Sequence, residues 1–387
     1  MNANTPNRTS EIIVHVFGKT DVGRTREHNE DAFVVADLST GNATLQPEVR
    51  THVAGPKGSL FMVADGMGGA AAGEIASQMA TEVVLHELEH RWRQAAAGDP
   101  DSFAIAIKAA TEQANARINR YAAEHPENRG MGTTATIAGL LHDTLYLAQV
   151  GDSRAYLVRD GTARQITKDQ SLMQKLIEAG EMTAEEAEVS ERRNIILQAL
   201  GPESIVRVDL TSQKVRRNDV LVLCSDGLSG QMRAPDIAQI VTDSPDLVAT
   251  CKALIDLANE NGGPDNITVI AVRFEGEGLM AATSSDVVGH KVYAGETTSR
   301  PTTPVSAASI PADAVTDEIA ALPKPTATPD VATTAPRGFA KSGGAPTVAS
   351  PPNTPKPEPR ISVAYLRVTF GLIAFAIAVY LYAKFRG

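Results

Sequence analysis

The sequence predicts an α+β sandwich, and three observations carry the prediction. Short apolar runs bounded by turns recur through the first 275 residues, long helix-patterned segments lie between them, and acidic motifs close several of the runs. The strand candidates are residues 12–19, 32–37, 60–64, 133–141, 144–150, 155–159, 206–210, 220–224 and 267–274. Alternation is partial and several runs are continuously apolar, as expected for strands buried between two layers. Residues 70–92 and 102–123 are the two long helix candidates, and 246–259 is a third. In the first of these, Ile75, Met79, Val83, Leu85 and Leu88 contain the three-and-four spacing of an apolar stripe.

The acidic motifs are Asn29-Glu30-Asp31, Asp65-Gly66-Met67-Gly68-Gly69, Gly151-Asp152-Ser153-Arg154, Asp226-Gly227-Leu228 and Asp265-Asn266. Three follow directly on the apolar runs that begin at Leu60, Leu145 and Val220. A buried strand that stops on such a motif places a carboxylate at the rim of a sheet. Two carboxylates about 4 Å apart repel by roughly 1 to 4 kcal/mol at effective dielectrics of 80 to 20. A chain that gathers several has a use for a cation between them. Hard oxygen donors with few His or Cys nearby suit Mg²⁺ or Mn²⁺ rather than Zn²⁺. One Asp-Gly alone is a turn signal and nothing more; the joint occurrence carries the inference.

Together the motifs resemble the metal-dependent, type 2C family of serine/threonine protein phosphatases in its bacterial branch. The matching stretches are 21–32, 63–69, Gly130-Met131-Gly132-Thr133-Thr134, 151–154, 224–228 and 263–269. The resemblance spans roughly residues 11–275. It sharpens the fold to a four-layer αββα sandwich of two antiparallel sheets flanked by helices. It implies a centre of two Mn²⁺ or Mg²⁺ ions bridged by Asp65. Glu30 and the Gly66 carbonyl then serve one ion, and Asp226 and Asp265 the other. It assigns Arg26 to the phosphoryl oxygens, where a planar fork is needed, and Asp31 to orienting the attacking water. Asp152 with Asp226 would take a third, weaker ion. Asp65, Asp31 and Arg26 are thus the expected catalytic residues. No protein nucleophile is required, and the chain has no Cys-x₅-Arg loop.

Several positions depart from the family pattern. Gly230 stands where an Asp is common, Met67 where some members have His, Gln170 where His is frequent, and Ser190-Glu191 where His-Pro is frequent. Residues 168–194 resemble the flap beside the active site. Leu172, Leu176 and Ile177 give it an amphipathic helix ended by Gly180. Thr183 and Glu186 form a capping box for the next helix. The loop 39–59 is longer than usual.

Beyond residue 275 the composition shifts to Pro, Ala, Thr and Ser, and periodic apolar faces vanish. Residues 276–360 read as a flexible linker with a root-mean-square span on the order of 50 Å. Residues 361–384 read as a transmembrane helix. The charge-free run 368–383 is about 24 Å long as a helix, and including 361–366 extends it to about 34 Å, with Arg367 free to snorkel. The polar first ten residues contain no signal core. The expected placement is therefore a single-pass protein of the cytoplasmic membrane with its catalytic domain, 11–275, in the cytoplasm. Two cysteines, Cys224 and Cys251, offer no disulfide framework. A net charge of −10 argues against a nucleic-acid surface. The expected partners are phosphorylated proteins, including a Ser/Thr kinase that the enzyme opposes, and the membrane. A non-catalytic binding module of the same fold and a phosphatase for a small metabolite are the rival readings.

Overall fold

The computed structural model describes residues 11–294, apart from positions 45, 47, 69–71, 95–97 and 189. In chain order the elements are β1 (Ile13–Asp21), β2 (Asp31–Asp37), β3 (Asn42–Thr44), β4 (Arg50–Val53) and β5 (Ser59–Met67). Then come α1 (Ala72–Gln94), α2 (Pro100–Glu124), β6 (Gly132–Thr133), β7 (Ala135–Leu141), β8 (Thr144–Val150), β9 (Arg154–Arg159) and β10 (Thr162–Gln165). The remainder is α3 (Leu172–Glu178), α4 (Ala184–Glu188), β11 (Asp209–Lys214), β12 (Val220–Cys224), α5 (Asp226–Ser229), α6 (Ala234–Asp243), α7 (Leu247–Glu260) and β13 (Ile267–Glu275).

The strands form two antiparallel sheets. One runs β10-β9-β12-β13-β1-β4, and the other β11-β8-β7-β5-β2-β3 with β6 paired to β5. Strict alternation along the central strands sorts the side chains into three cores. Phe33, Val35, Phe61 and Val63 meet Leu157, Leu221, Leu223, Ile270 and Val272 between the sheets. Val34, Leu60, Met62 and Ile137 pack under Val84, Leu88, Phe103 and Ile107 of α1 and α2. Val222, Val269 and Ala271 pack under Ile237, Leu254 and Ile255 of α6 and α7. Helices, sheet, sheet and helices therefore stack as the sequence predicts. These strands look continuously apolar because both of their faces are covered. Gly139 is where α2 comes closest: a Cβ there would lie 2.6 Å from Ile107 Cδ1.

Several elements differ from expectation. The strand read at 206–210 starts only at Asp209 and runs on to Lys214 as β11. Val206 and Val208 are buried against the α1–α2 layer, while pairing with β8 begins at Asp209, opposite Gln149. The 39–59 loop contains β3, which edges one sheet beside β2, and β4, which edges the other beside β1. It thus passes from one sheet to the other.

The expected boundary at residue 275 is also displaced. Residues 276–294 follow the body of the domain as a strap. Leu279 is buried among the inter-sheet residues. Gly278 N donates to Glu11 O at 3.0 Å and Arg217 N to Met280 O at 2.9 Å. Asp286 pairs with Arg216 at 2.5 Å. Ser212 N donates to Lys291 O at 3.0 Å and Tyr293 N to Leu210 O at 2.9 Å, which covers the open edge of β11. Tyr293 stacks edge-on against Tyr146, 5.4 Å between centroids, and its hydroxyl donates to Asp101 of α2. A few well-spaced apolar and aromatic anchors hold this stretch despite its linker-like composition. The rest of the expected linker, and the expected membrane span 361–384, lie outside the described residues. Among the described residues no helix is long and apolar enough to cross a membrane.

Candidate metal centre and active site

All of the acidic motifs emerge at one end of the sandwich, because the registers place the strand ends there together. Asp31, the first residue of β2, is directly opposite Asp65 near the end of β5. Cys224, the last residue of β12, is opposite both Arg154 of β9 and Val269 of β13. Asp226 opens α5 one residue after Ser225, and Asp152 sits in the turn from β8 to β9. Asp265 lies two residues before β13 and Glu30 one residue before β2.

The carboxylates sense one another. Burial raises Asp65 well above the ordinary carboxylate range, and the charges of Asp31, Asp226, Asp152 and Asp265 raise it further. Asp226 is raised by burial and then by the charge of Asp265. Asp31 is pushed up to about 7, first by burial, against the pull of two hydroxyls. Asp152 is pushed up to about 8 by burial and then by Asp226. Glu30 is raised by burial, with Arg26 opposing. Asp31 Oδ1 is buried and has no hydrogen-bond partner. Six carboxylates whose charges act on one another, one of them with an orphaned oxygen, are a donor set that fits hard divalent cations. Among the described residues, however, no three His, Cys, Asp or Glu side chains are closed around a single point. Two of the set are engaged elsewhere: Arg26 Nη2 donates to Asp265 Oδ2 at 2.7 Å, and Asp31 Oδ2 accepts two hydroxyls.

The glycines and hydroxyls around the acids explain how the rim is built. Gly66 N donates to Glu30 O at 3.1 Å, and a Cβ on Gly66 would lie 2.4 Å from that oxygen and 2.2 Å from Gly73 O. Only glycine lets β5, the Glu30 backbone and the start of α1 meet this closely. Thr133 and Thr134 lock Asp65 in place. Thr134 N and Thr133 Oγ1 donate to its carbonyl at 2.8 and 2.9 Å, and Asp65 N donates to Thr134 Oγ1 at 3.0 Å.

Two residues take supporting roles that the sequence analysis named but did not assign. Asn266 accepts from Glu30 N at 2.8 Å and donates to the carbonyls of Val22 and His28 at 3.0 and 2.9 Å, which fixes the loop that carries Arg26. Gln170, at the base of the flap, accepts from Gly151 N at 3.1 Å, and its own N–H donates to Gly151 O at 2.9 Å. It thereby ties the flap to the turn of Asp152. Asn266 stands in a motif and Gln170 at a departure from the family pattern, but the sequence does not show which backbone groups their amides meet. In the flap itself α3 forms as predicted. Thr183 and Glu186 make their reciprocal box, Thr183 N to Glu186 Oε2 at 2.9 Å and Glu186 N to Thr183 Oγ1 at 3.2 Å. Gly230, at the end of α5, brings no carboxylate to the rim.

The family description Protein phosphatase 2C matches residues 42–267, more than half of the chain. The serine/threonine phosphatase stp of Listeria welshimeri is 36% identical over 260 residues, covering 67% of this chain and 95% of that protein. The chain belongs to the protein phosphatase 2C family. Solved phosphatase structures agree with the sandwich. The serine/threonine phosphatase PstP/Ppp of Mycobacterium tuberculosis matches with a TM-score of 0.57 at 33% identity, over 68% of this chain and 99% of that one. A PstP catalytic domain in complex with two manganese ions matches with a TM-score of 0.55 at 33% identity, over the same shares. The acidic rim of this phosphatase is thus a metal-type centre on the family's fold.

Proposed function

We propose that this phosphatase removes phosphate from phosphoserine and phosphothreonine side chains of proteins, using two divalent cations, Mn²⁺ or Mg²⁺, at the acidic rim. The observation that carries the reading is the convergence of the acidic motifs on one rim: Asp31 lies directly opposite Asp65 across β2 and β5, and Asp152, Asp226 and Asp265 stand just past the end of β8, just past the end of β12 and just before β13. Asp65, Glu30 and the Gly66 carbonyl would hold one cation, and Asp65 with Asp226 and Asp265 the other. Asp152 with Asp226 would hold a third, more weakly. When bound, such cations lower the pKa of water and offset charge on a phosphoryl group undergoing in-line displacement.

The chain's own groups do the rest. Arg26 sits at the mouth, about half exposed, and its fork binds two phosphoryl oxygens. Asp31 offers Oδ1 to orient the attacking water and accept its proton. The buried thiols of Cys224 and Cys251 are pushed up to about 12 by burial and take no part as nucleophiles.

Hydrolysis of a phosphothreonine peptide with and without Mn²⁺ tests the reading. Activity is expected only with the cation. Undiminished turnover in excess EDTA would sink it.

The same proposal fastens the enzyme to the cytoplasmic membrane through residues 361–384 and sets it against a Ser/Thr kinase there. The support is the nearly charge-free run near the end of the sequence and the Pro-rich stretch before it. Carbonate extraction checks the anchorage: full-length protein is expected to stay with the membrane at high pH, and its release would mark the segment as peripheral. Dephosphorylation of a co-expressed membrane kinase, absent in an Asp65→Asn strain, checks the pairing.

A further inference from the structure

Asp31 is held in a way that its motif does not announce. Its Oδ2 accepts two hydroxyl hydrogen bonds, from Ser225 Oγ at 2.7 Å and from Thr268 Oγ1 at 2.7 Å. Ser225 and Thr268 are fully buried, and they are tied to each other by Thr268 N donating to Ser225 Oγ at 2.9 Å. Behind Thr268 stands its cross-strand neighbour Thr20, with the two hydroxyl oxygens 2.7 Å apart. Behind Thr20 stands Asn29, whose Nδ2 donates to Thr20 Oγ1 at 2.8 Å. Asn29 Oδ1 in turn accepts the backbone N–H of Asp31 at 3.1 Å. The circuit therefore closes on the residue where it began.

The direction of every proton in this circuit follows from donor counts. Asn29 Nδ2 can only donate. Thr268 has one hydroxyl proton, and it goes to the carboxylate, so Thr20 must donate to Thr268. Ser225 likewise commits its one proton to Asp31 at 2.7 Å rather than to Asn266 O at 3.4 Å. Two charge-assisted bonds on one oxygen fix the torsion of a short side chain. The other oxygen, Oδ1, is buried and unpartnered. The donors come from β1, β13 and the end of β12 in one sheet, whereas Asp31 and Asp65 belong to the other.

We propose that Thr268 and Ser225, backed by Thr20 and Asn29, are positioning residues that hold Asp31 by Oδ2 and reserve Oδ1 for the cations and water of the reaction. The inference rests on the role of Asp31 given under the proposed function. It adds that the role is set by hydroxyls of the opposite sheet. A carboxylate freed from these donors would no longer present Oδ1 to the site in one orientation, so orientation would be lost before the fold is. Outer partners of this kind are worth about 10- to 100-fold in affinity or activity.

The test uses the full-length protein with Thr268→Val, Thr268→Ser, Ser225→Ala and Asp31→Asn. Three quantities are measured: kcat and KM on a phosphothreonine peptide at saturating Mn²⁺, Mn²⁺ affinity by calorimetry, and the melting temperature without metal. Thr268→Val keeps the shape and removes the donor, and it should lower kcat at least about ten-fold with KM changed less than about two-fold. Mn²⁺ affinity should weaken in the same variant. Thr268→Ser restores the donor and should bring kcat and Mn²⁺ affinity back to within about two-fold of the parent, even if its melting temperature is lower. Ser225→Ala removes the second donor from a separate element, so a Thr268 variant that fails to fold leaves the inference testable there. Parent-like kcat and Mn²⁺ affinity in both donor-deleted variants, alongside a crippled Asp31→Asn, overturn the inference alone. Equal losses in Thr268→Val and Thr268→Ser that track melting temperature also overturn it, because they mark a packing role. Parent-like turnover in Asp31→Asn removes the reading of Asp31 itself, and the inference with it.

Discussion

Arg26 and Asp265, 239 residues apart in sequence, are joined by a 2.7 Å hydrogen bond from Nη2 to Oδ2 at the mouth of the acidic rim. The residue assigned to phosphate thus rests on a residue assigned to a cation. Asp265 raises the proton affinity of the guanidinium, which stays charged at all relevant pH. The pair is partly exposed, so its contribution to stability is small. On the proposed roles, a cation claiming Asp265 would free the guanidinium fork for a phosphoryl group.

Arg26→Ala should therefore raise KM for a phosphothreonine peptide about ten-fold or more with a smaller effect on kcat, since it binds a group already charged in the ground state. It should also tighten Mn²⁺ binding, because a competitor for Asp265 is gone. Arg26→Lys should not restore KM, as Lys lacks the fork. Steady-state kinetics with calorimetry decide the matter; a pure kcat defect with parent-like KM would contradict the assignment.

Asp65→Asn and Asp226→Asn should each lower kcat by at least about 10²-fold, because each removes charge from the cation site as well as a donor oxygen. Both variants should melt at a higher temperature than the parent in the absence of metal, since the repulsion that raises these groups is relieved. Parent-like turnover in either variant refutes the site.

The same burial gives a signed pH dependence. Burial pushes Asp31 up to about 7 and Asp152 up to about 8 in the folded protein, from an ordinary value of 3.8. Across that window the folded state retains protons the unfolded chain has released. Without metal these two groups favour the fold fully below about pH 4 and lose that effect as pH rises through 7 to 8. His52 and His290, both lowered by burial, act in the opposite direction near their own range. The clean comparison is therefore a difference: between pH 5 and pH 8.5 the metal-free melting temperature should fall more in the parent than in Asp152→Asn. Cation binding requires ionised carboxylates, so the Mn²⁺-induced rise in melting temperature should grow with pH. A rise that shrinks with pH would count against the acidic rim as the binding site.

Truncation after residue 276 should destabilise the domain relative to truncation after 294. The cut removes the buried Leu279, the Asp286–Arg216 pair and the backbone bonds along β11. Loss of a buried leucine alone costs about 2–5 kcal/mol. Urea unfolding reads the difference directly, and equal midpoints would show that the strap adds nothing.

The layers and the acidic rim were legible because one physical fact writes both: a strand covered on both faces is apolar throughout, and it must stop where a charge begins. Leu60 to Ala64 before Asp65, and Val220 to Cys224 before Asp226, show this plainly. The edge strands β3, β4 and β10 were not read, since they are short and largely exposed and carry no apolar pattern. Helix α6 was passed over; Pro235 stands in its first turn, a place where proline is tolerated, although elsewhere it breaks a helix. No role was read for Thr20, Ser225 or Thr268, although the last two lie in matching stretches, because a hydroxyl in or beside a strand looks ordinary until its partner across the fold is known. The strap was hidden by composition: Leu279, Val288 and Tyr293 are separated by Gly, Ser and Thr, and three contacts carry no period.

The strap also decides where mechanical load enters this molecule. A pull on the chain beyond residue 294 is borne first by Tyr293 against Asp101 and by the Val292–Thr211 bridge on the β11 edge. Only after these give way, and then Asp286 and Leu279, does tension reach β13. That strand runs directly into Asn266 and Asp265, so a tug transmitted along it would disturb the catalytic end. Fastening the chain beside α2 and β11 makes those surface contacts a strain relief, and the carboxylate rim can keep its geometry while the tail is pulled.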